Sequence, residues 1–472
     1  MPNIFTFLNQ ESLLHSFIFN TISVLVVSLS LSTNLAASVS VKSDQLIKTL
    51  DKIQSLIDYI SESDISPSNA PKFSSSYLNN DEYNAYKKLF DDTPELARQV
   101  TNEDAIKVLI VGAGPVGLLC ALMAYESGAE VTLVEKRNAY TRHQVILLDK
   151  VSIKDLKKYI GSENYDKMLD LGYFKEDNDF VTIFHSSINH IEMALALAVE
   201  NQAKRNPKFL KVLYNHEFDG SFKDGQLNNL VLKTPNGTYS VIKPDWVLGA
   251  DSIRSRVSEL AGFKQYNLTS AVHAGIAVFK KHPDQNIVGN SEGRYSLNIG
   301  TEKSFYLATE LSSDEFLKYQ TLLSTSKKRD FLLDLLLDSD ERNLPELLSE
   351  KDFSAFPIQI KKSDKFATEK NVDGKKIKFF IAGDAAGSTH FFAGNGTKRG
   401  FEDARIFSKV LLSPKKSVAD YNLAVKTHLE STQKNTFKTL VEYTFELNSG
   451  TFEVFDKPRL IKKVVKKESL IK

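Results

Sequence analysis

Residues 108–117 read VLIVGAGPVG, and this stretch constrains the fold more than any other. Val108–Val111 is an unbroken apolar run bounded by glycine, the pattern of a strand buried on both faces of a parallel sheet. Gly112-Ala113-Gly114-Pro115-Val116-Gly117 follows as G-x-G-x-x-G. The next segment, Leu118–Glu126, is apolar on all sides and predicts a buried helix ending at Gly128. A second apolar run, Val131–Val134, then ends in Glu135.

This is the order of a dinucleotide-binding βαβ unit. Gly112 serves a tight turn, Gly114 lets the backbone approach a pyrophosphate, and Gly117 lets helix and strand pack closely. Pro115 and Val116 open the helix, whose unpaired N–H groups and positive end favour phosphate. Glu135 follows Gly112 by 23 residues, where an acid hydrogen-bonds an adenosine ribose.

At 472 residues the chain has room for two or three domains. Sixty basic residues against 59 acidic ones leave a net charge of +1, so no global field draws nucleic acid or an anionic surface. Cys120 is the single cysteine, which excludes an intramolecular disulfide. With no C-x-x-C, no H-E-x-x-H and no repeat period, a metal site has no support.

Ser12–Val41 carries no Asp, Glu, Lys or Arg, and ISVLVVSLSLS is its apolar centre. Three readings stay open for it: a cleaved signal peptide, a membrane anchor, or a hydrophobic extension. A cytoplasmic or membrane-tethered location is slightly favoured over secretion. Residues 43–63 place Leu46, Leu50, Ile53, Leu56, Ile57 and Ile60 at helical spacing, and a Ser- and Pro-rich linker follows.

Two later segments bear on which dinucleotide is held. In DWVLGADSIRSRV, residues 245–257, Trp246–Leu248 reads as a strand and Gly249-Ala250-Asp251 as a turn that adds Asp251 to the candidate cofactor residues. In KFFIAGDAAGSTHFFAGNGTKRGFEDA, residues 378–404, Phe379–Ala382 reads as a buried strand ending in Gly383-Asp384. Gly394-Asn395-Gly396 then opens a helix near Thr397. Asp384, at the C-terminal end of a parallel strand, is placed to accept from a ribityl hydroxyl, a group that flavins have and nicotinamide dinucleotides lack. Gly394 and Gly396 let the backbone approach a flat ring, and the helix dipole beyond them favours negative charge on a reduced flavin.

The three segments in this order resemble the aromatic hydroxylase class of FAD-dependent monooxygenases. Several stretches are most similar to the MICAL monooxygenase domain: VEKRNAYTRHQVILL at 134–148, INHIEMALALAV at 188–199, GNGTKRGFEDA at 394–404 and EYTFELNSGT near the C-terminus. The resemblance covers roughly residues 105–455. It implies an α/β fold in which a Rossmann-like FAD-binding domain with three-layer ββα arrangement is interleaved with a β-sheet substrate domain. The expected organisation is a hydrophobic segment at 1–41, a helical extension and linker at 42–104, FAD-binding parts at 105–265 and 371–455, a substrate domain at 266–370, and a basic tail at 456–472. Carried over by position, Glu135, Lys136 and Arg137 surround the adenosine part of FAD. Arg142 and Gln144 lie along the cofactor, and Asp384 holds its ribityl chain. Three departures, Gln144 for asparagine, Ala194 for arginine and Phe391 for tryptophan, bear on the substrate more than on FAD.

The implied reaction is reduction of FAD by NADPH, addition of O2 to give a flavin hydroperoxide, and transfer of one oxygen atom to an aromatic small molecule or a protein methionine. Actin enters as a partner only through the MICAL resemblance. No second nucleotide fingerprint is present, so NADPH is expected to reach the flavin through an open cleft. Arg254 and Arg256 are candidates for its phosphates or for a solvated helix face. No catalytic residue is assigned, and His143 and His390 are read as packing or cofactor contacts. Two alternatives remain: a flavin reductase without oxygenation, and a flavin-stabilised binding protein.

Overall fold

Apolar strands bounded by glycine turns set the framework. The computed structural model describes residues 75–90, 92–99, 105–169, 173–177, 181–223, 225–267, 272–280, 296–300, 304–337, 346–349, 352–413, 418–447, 451–455 and 462–466. The hydrophobic segment at 1–41, the amphipathic stretch at 43–63 and nearly all of the linker lie outside them, as does most of the basic tail. No helix among the described residues is long and apolar enough to cross a membrane.

The chain runs through α1 (Asp81–Lys87), β1 (Lys107–Val111), α2 (Pro115–Glu126), β2 (Glu130–Glu135) and β3 (Val145–Asp149). Helices α3 (Lys150–Ile160) and α4 (Ser162–Leu169) precede the hairpin of β4 (Tyr173–Asp177) and β5 (Val181–Ser187), and α5 (Ile188–Arg205) follows directly. Next come β6 (Leu210–Tyr214), β7 (Glu217–Lys223), β8 (Gln226–Lys233), β9 (Tyr239–Ile242), β10 (Trp246–Gly249) and α6 (Arg256–Ala261). The middle of the chain supplies β11 (Gln265–Asn267), β12 (Val272–Lys280), β13 (Ser296–Gly300), β14 (Ser304–Leu311), α7 (Ser313–Thr321), α8 (Thr325–Leu336), β15 (Phe353–Ile358) and β16 (Lys361–Ser363). The last part holds β17 (Ala367–Val372), β18 (Lys375–Ile381), α9 (Gly396–Leu411), α10 (Val418–Leu447), β19 (Thr451–Phe455) and β20 (Lys462–Lys466).

The central sheet has the order β17-β18-β10-β1-β2-β6. Its inner strands run parallel, and β17 closes one edge in the antiparallel sense. Because α2 is apolar all round, it must be covered all round. It packs on β1 and β2 and lies against both α5 and α9. Cys120 is fully buried within it, and burial pushes its thiol well above the ordinary range, so it behaves as a small apolar side chain. The β7–β8 hairpin packs against α6, β2 and β17 and supplies a second β layer, which with the sheet and helices gives the ββα arrangement.

A separate antiparallel sheet, β13-β14-β12-β15, spans the segment expected to cover the substrate. Its alternation sorts two faces. Ala277 and Phe279 join Leu332, Leu333 and Leu336 of α8 in one cluster. Ala274, Ile276, Val278, Tyr306 and Ala308 face the other way, toward Phe391, Phe392 and Leu147.

The region before β1 was read as extension and linker, yet residues 76–98 are built into the body. Leu78, Tyr83, Tyr86 and Leu96 belong to the main core. Helix α5 receives them with polar groups: Leu78 N–H donates to Glu200 Oε1 (3.1 Å), Tyr86 OH donates to the His190 carbonyl (2.9 Å), and Leu96 N–H donates to Gln202 Oε1 (3.2 Å). Arg205 closes the far end on Asp92 Oδ2 at 2.6 Å. No period marks this segment because it is mostly irregular and its partners lie on a helix about a hundred residues away.

Truncating Tyr86 to Ala removes a side chain that is only 4% exposed, and the unfolding free energy should fall by about 3–5 kcal/mol in denaturant titration. A merely appended segment would leave the midpoint where it is.

Candidate functional site

The glycine loop is held by close backbone approaches. Gly112 has φ +98°, and a Cβ there would lie 2.5 Å from the Ala250 carbonyl oxygen in the turn after β10. A Cβ on Gly117 would lie 1.8 Å from the Gly112 carbonyl oxygen, which leaves room only for hydrogen. Gly114 differs: the nearest atom to its Cβ position is Glu192 Oε1, at 3.9 Å. Two of the glycines therefore serve packing, and Gly114 leaves space above the start of α2.

The helix ends show which N–H groups are left over. Side chains of Asn80, Asp149, Ser255, Ser312 and Ser324 cap α1, α3, α6, α7 and α8. The first N–H groups of α5 donate to the carbonyls of Gln144 (2.9 Å) and Arg142 (3.1 Å). By contrast, α2 begins at Pro115 with Gly114 as an N-cap that has no side chain, and Asn395 makes no capping bond to α9. Both of these ends belong to the motifs singled out in the sequence. Both are arranged to receive anionic or electron-rich groups.

Charge is concentrated beside the first of them. Glu135 is 5% exposed; its Oε2 accepts from Ala113 N–H (2.8 Å), and its Oε1 accepts from Arg137 N–H (3.0 Å) and Nε (2.9 Å). Burial works against its ionisation, but Arg137 and the two N–H groups win and hold its pKa below the ordinary range. Lys136 is exposed. Arg142 turns back onto Glu192, a fully buried acid on α5, and Arg137 approaches the same carboxylate at 3.9 Å. Gln144, half-buried, anchors the loop to α5 through its carbonyl.

Gly383 and Asp384 follow β18. Gly383 has φ +60° and donates its N–H to Asp403 Oδ2 at 2.9 Å. Asp403 also accepts from Arg399 Nη1 at 2.9 Å, in an ion pair with both side chains fully buried. Burial pushes Asp403 up to about 6, with Arg399 opposing. Asp384 is accessible and has no hydrogen-bond partner among the described residues. Desolvation by the surrounding chain raises its pKa, while Arg399 and Arg142 pull the other way. A Cβ on Gly394 would lie 3.0 Å from Leu147 Cδ1, whereas Gly396 has nothing within 4 Å. Open space therefore adjoins the N-terminus of α9, as a flat ring requires.

Asp251 is occupied differently from the expectation. Its Oδ2 accepts from Arg256 N–H (2.7 Å) and Val257 N–H (3.1 Å), so it braces the start of α6 behind the glycine loop. Arg256 is paired with Asp219 and Glu259 at 2.6 Å each, while Arg254 is exposed. His390 is buried, and desolvation lowers its pKa to about 4, so it stays neutral. His143 bridges two carboxylates: Nδ1 lies 2.8 Å from Asp352 Oδ1, and Nε2 lies 3.5 Å from Glu82 Oε1. These contacts raise its pKa from 6.5 to about 9. Glu82 also accepts from Asn189 Nδ2 at 2.7 Å. One imidazolium thus ties α1, the loop after β2 and the segment before β15 together. No group of His, Cys, Asp and Glu among the described residues can hold a metal ion.

The FAD binding domain family matches residues 105–146. The F-actin monooxygenase MICAL2 of Homo sapiens is 31% identical over 159 residues, which cover 34% of this chain and 8% of that protein. Pentachlorophenol 4-monooxygenase of Sphingobium chlorophenolicum is 25% identical over 327 residues, covering 63% of this chain and 56% of that protein. The chain spans under a tenth of the length of the MICAL relatives heading this comparison. Among solved structures, p-nitrophenol 4-monooxygenase PnpA from Pseudomonas putida DLL-E4 shares the fold, with TM-score 0.55 at 18% identity over 73% of this chain and 90% of that one. The chain is similar to FAD-dependent monooxygenases of the aromatic hydroxylase type, MICAL proteins included, and has their α/β fold with a Rossmann-like FAD-binding sheet.

Two substitutions separate the glycine roles. Gly114→Ala should leave the melting temperature within a few degrees of the parent and weaken binding of FAD, read by flavin fluorescence. Gly117→Ala should abolish folded protein, because its methyl has no space beside Gly112. The His143 bridge sets a pH window: its folded-state pKa lies above the unfolded one, so its stabilisation is complete below about pH 6.5 and disappears as pH rises through about 9. Denaturation midpoints should decline across that interval in the parent and less steeply in His143→Gln.

Proposed function

We propose that the chain is an FAD-dependent monooxygenase that draws electrons from NADPH and passes one oxygen atom of O2 to an aromatic small molecule or a protein methionine. One observation carries the reading: two uncapped helix N-termini, at Gly114 and Gly396, flank an accessible, unpartnered aspartate at residue 384. A phosphate-bearing dinucleotide with a polyhydroxyl chain and a flat ring matches this combination. FAD, when bound, supplies hydride acceptance and oxygen activation.

The chain's own groups supply position and electrostatics. The N-terminus of α2 and the space over Gly114 receive the pyrophosphate, and Glu135, held by Ala113 and Arg137, receives the adenosine ribose. Asp384 accepts from a ribityl hydroxyl. The backbone around Gly394 and Gly396 lies along the ring system, where the positive end of α9 favours negative charge on the reduced ring. The apolar face of Ile276, Val278, Tyr306, Phe391 and Phe392 keeps water from the reacting atoms. No side-chain nucleophile or metal takes part. The names of the relatives motivate testing filamentous actin and substituted phenols as substrates.

Purified protein should be yellow. Asp384→Ala and Glu135→Ala should each weaken FAD retention by about 1.5–3 kcal/mol, the cost of one charge-assisted hydrogen bond. NADPH oxidation should consume O2 and stop when the flavin is removed. Full anaerobic turnover with a quinone acceptor, without oxygen incorporation, would instead establish a reductase.

A further inference from the structure

The pyrophosphate cradle contains an acid that no phosphate site needs. Glu192 is fully buried, its Oε1 lies 3.9 Å from the Cβ position of Gly114, and its Oε2 has no hydrogen-bond partner. Arg142 is ion-paired with it while Arg142 Nε is left without a partner. The groups facing this carboxylate come from three elements. Arg137, Tyr140 and Arg142 lie on the loop after β2, Glu135 ends β2, and Tyr214 ends β6. Only the two arginines favour its ionised form, and Arg142 is the nearer.

We propose that FAD binding is coupled to uptake of one proton by Glu192: Arg142 exchanges the carboxylate for the pyrophosphate, and Glu192 becomes a neutral carboxylic acid. The inference rests on the FAD reading above and concerns a residue of α5 outside all three flavin motifs. The charge balance favours it, because only Arg137, 3.9 Å away and already paired with Glu135, then opposes the negative charge on Glu192. A pyrophosphate over Gly114 brings negative charge beside Glu192 at the moment its main cation turns to the phosphates. A buried anion deprived of its partner neutralises by protonation. Burial already raises the pKa of this carboxyl, with Arg142 and Arg137 opposing. The proton comes from solvent and no bond other than O–H is made. Glu192 is a positioning residue: while ionised it stores Arg142 beside the cradle, and when protonated it releases it.

The 472-residue chain, freed of flavin by dialysis, is titrated with FAD by calorimetry near neutral pH in two buffers of different ionisation enthalpy. About one proton should be taken up per FAD, and the dissociation constant should rise by up to about tenfold per pH unit on the alkaline side. Glu192→Gln should bind FAD without uptake and with a flat pH profile. Asp384→Asn, which removes the accessible acid of the cleft, should retain the uptake. An infrared difference spectrum of the parent protein should gain a carboxylic-acid carbonyl band on binding, a readout that needs no variant. Zero uptake by the parent overturns the proposal, as does uptake that persists in Glu192→Gln or vanishes only in Asp384→Asn. Absence of any FAD binding, by heat or by fluorescence, removes the FAD reading itself and this inference with it.

Discussion

The side chain of Val116 is the point on which three distant segments close. A Cβ on Gly400 would lie 2.3 Å from Val116 Cγ2, and one on Gly383 would lie 3.3 Å from it. The first turn of α2 is therefore seated against the turn after β18 and against α9 at once. Gly112 meets Ala250 in the same layer, which brings in the turn after β10. Interiors packed this tightly transmit displacement rather than absorb it. The N-termini of α2 and α9 and the turn after β18 are consequently fixed relative to one another by one valine and three glycines.

Electrostatics then divides the site. Its floor carries partial positive charge from two helix ends, and its walls carry full charges that are mutually paired: Glu135 with Arg137, Glu192 with Arg142, Asp403 with Arg399. The fully buried pair of Arg399 and Asp403 contributes little net stability, since desolvation offsets most of its attraction, and in the other two pairs the arginine stays partly exposed to solvent screening. Their value lies in geometry. Arg399 and Asp403 hold the N–H of Gly383 and so fix the direction in which Asp384 leaves the strand. Asp384 itself is the one acid of this group left accessible without a partner among the described residues.

The parts legible in the sequence were those whose signal is local. β1, α2 and β2 announce themselves through two-sided burial and glycine spacing, and the strand before Gly383 does so through its apolar run. The antiparallel sheet β13-β14-β12-β15 falls in the segment for which only the family resemblance implied a β-sheet domain. Arg399 and Asp403 stood inside a quoted motif at a spacing of four, a signal that was available and unused. Glu192 carried none: it is one of two acids in α5, and its partner Arg142 lies 50 residues away. Asp251 was read toward the cofactor because a turn and an acid were all the sequence displayed, whereas the orphan N–H groups of α6 claim one of its oxygens. The segment around residues 76–98 was opaque for a similar reason, since its order comes from side chains of α5 and not from any period of its own.

Strand order carries a consequence for how the chain reaches its native state. β10 lies between β1 and β18, and β18 ends at Ile381. Ribosomal synthesis must therefore proceed past Ile381 before the middle of the sheet is sealed. Until then β10 presents an unpaired, wholly buried-type edge, Trp246-Val247-Leu248, which is the kind of surface that pairs with other chains. Long-range parallel pairing is slow to form. A nascent or shortened chain lacking β18 would thus be a substrate for chaperones and a seed for aggregation, long before it failed as a flavin site.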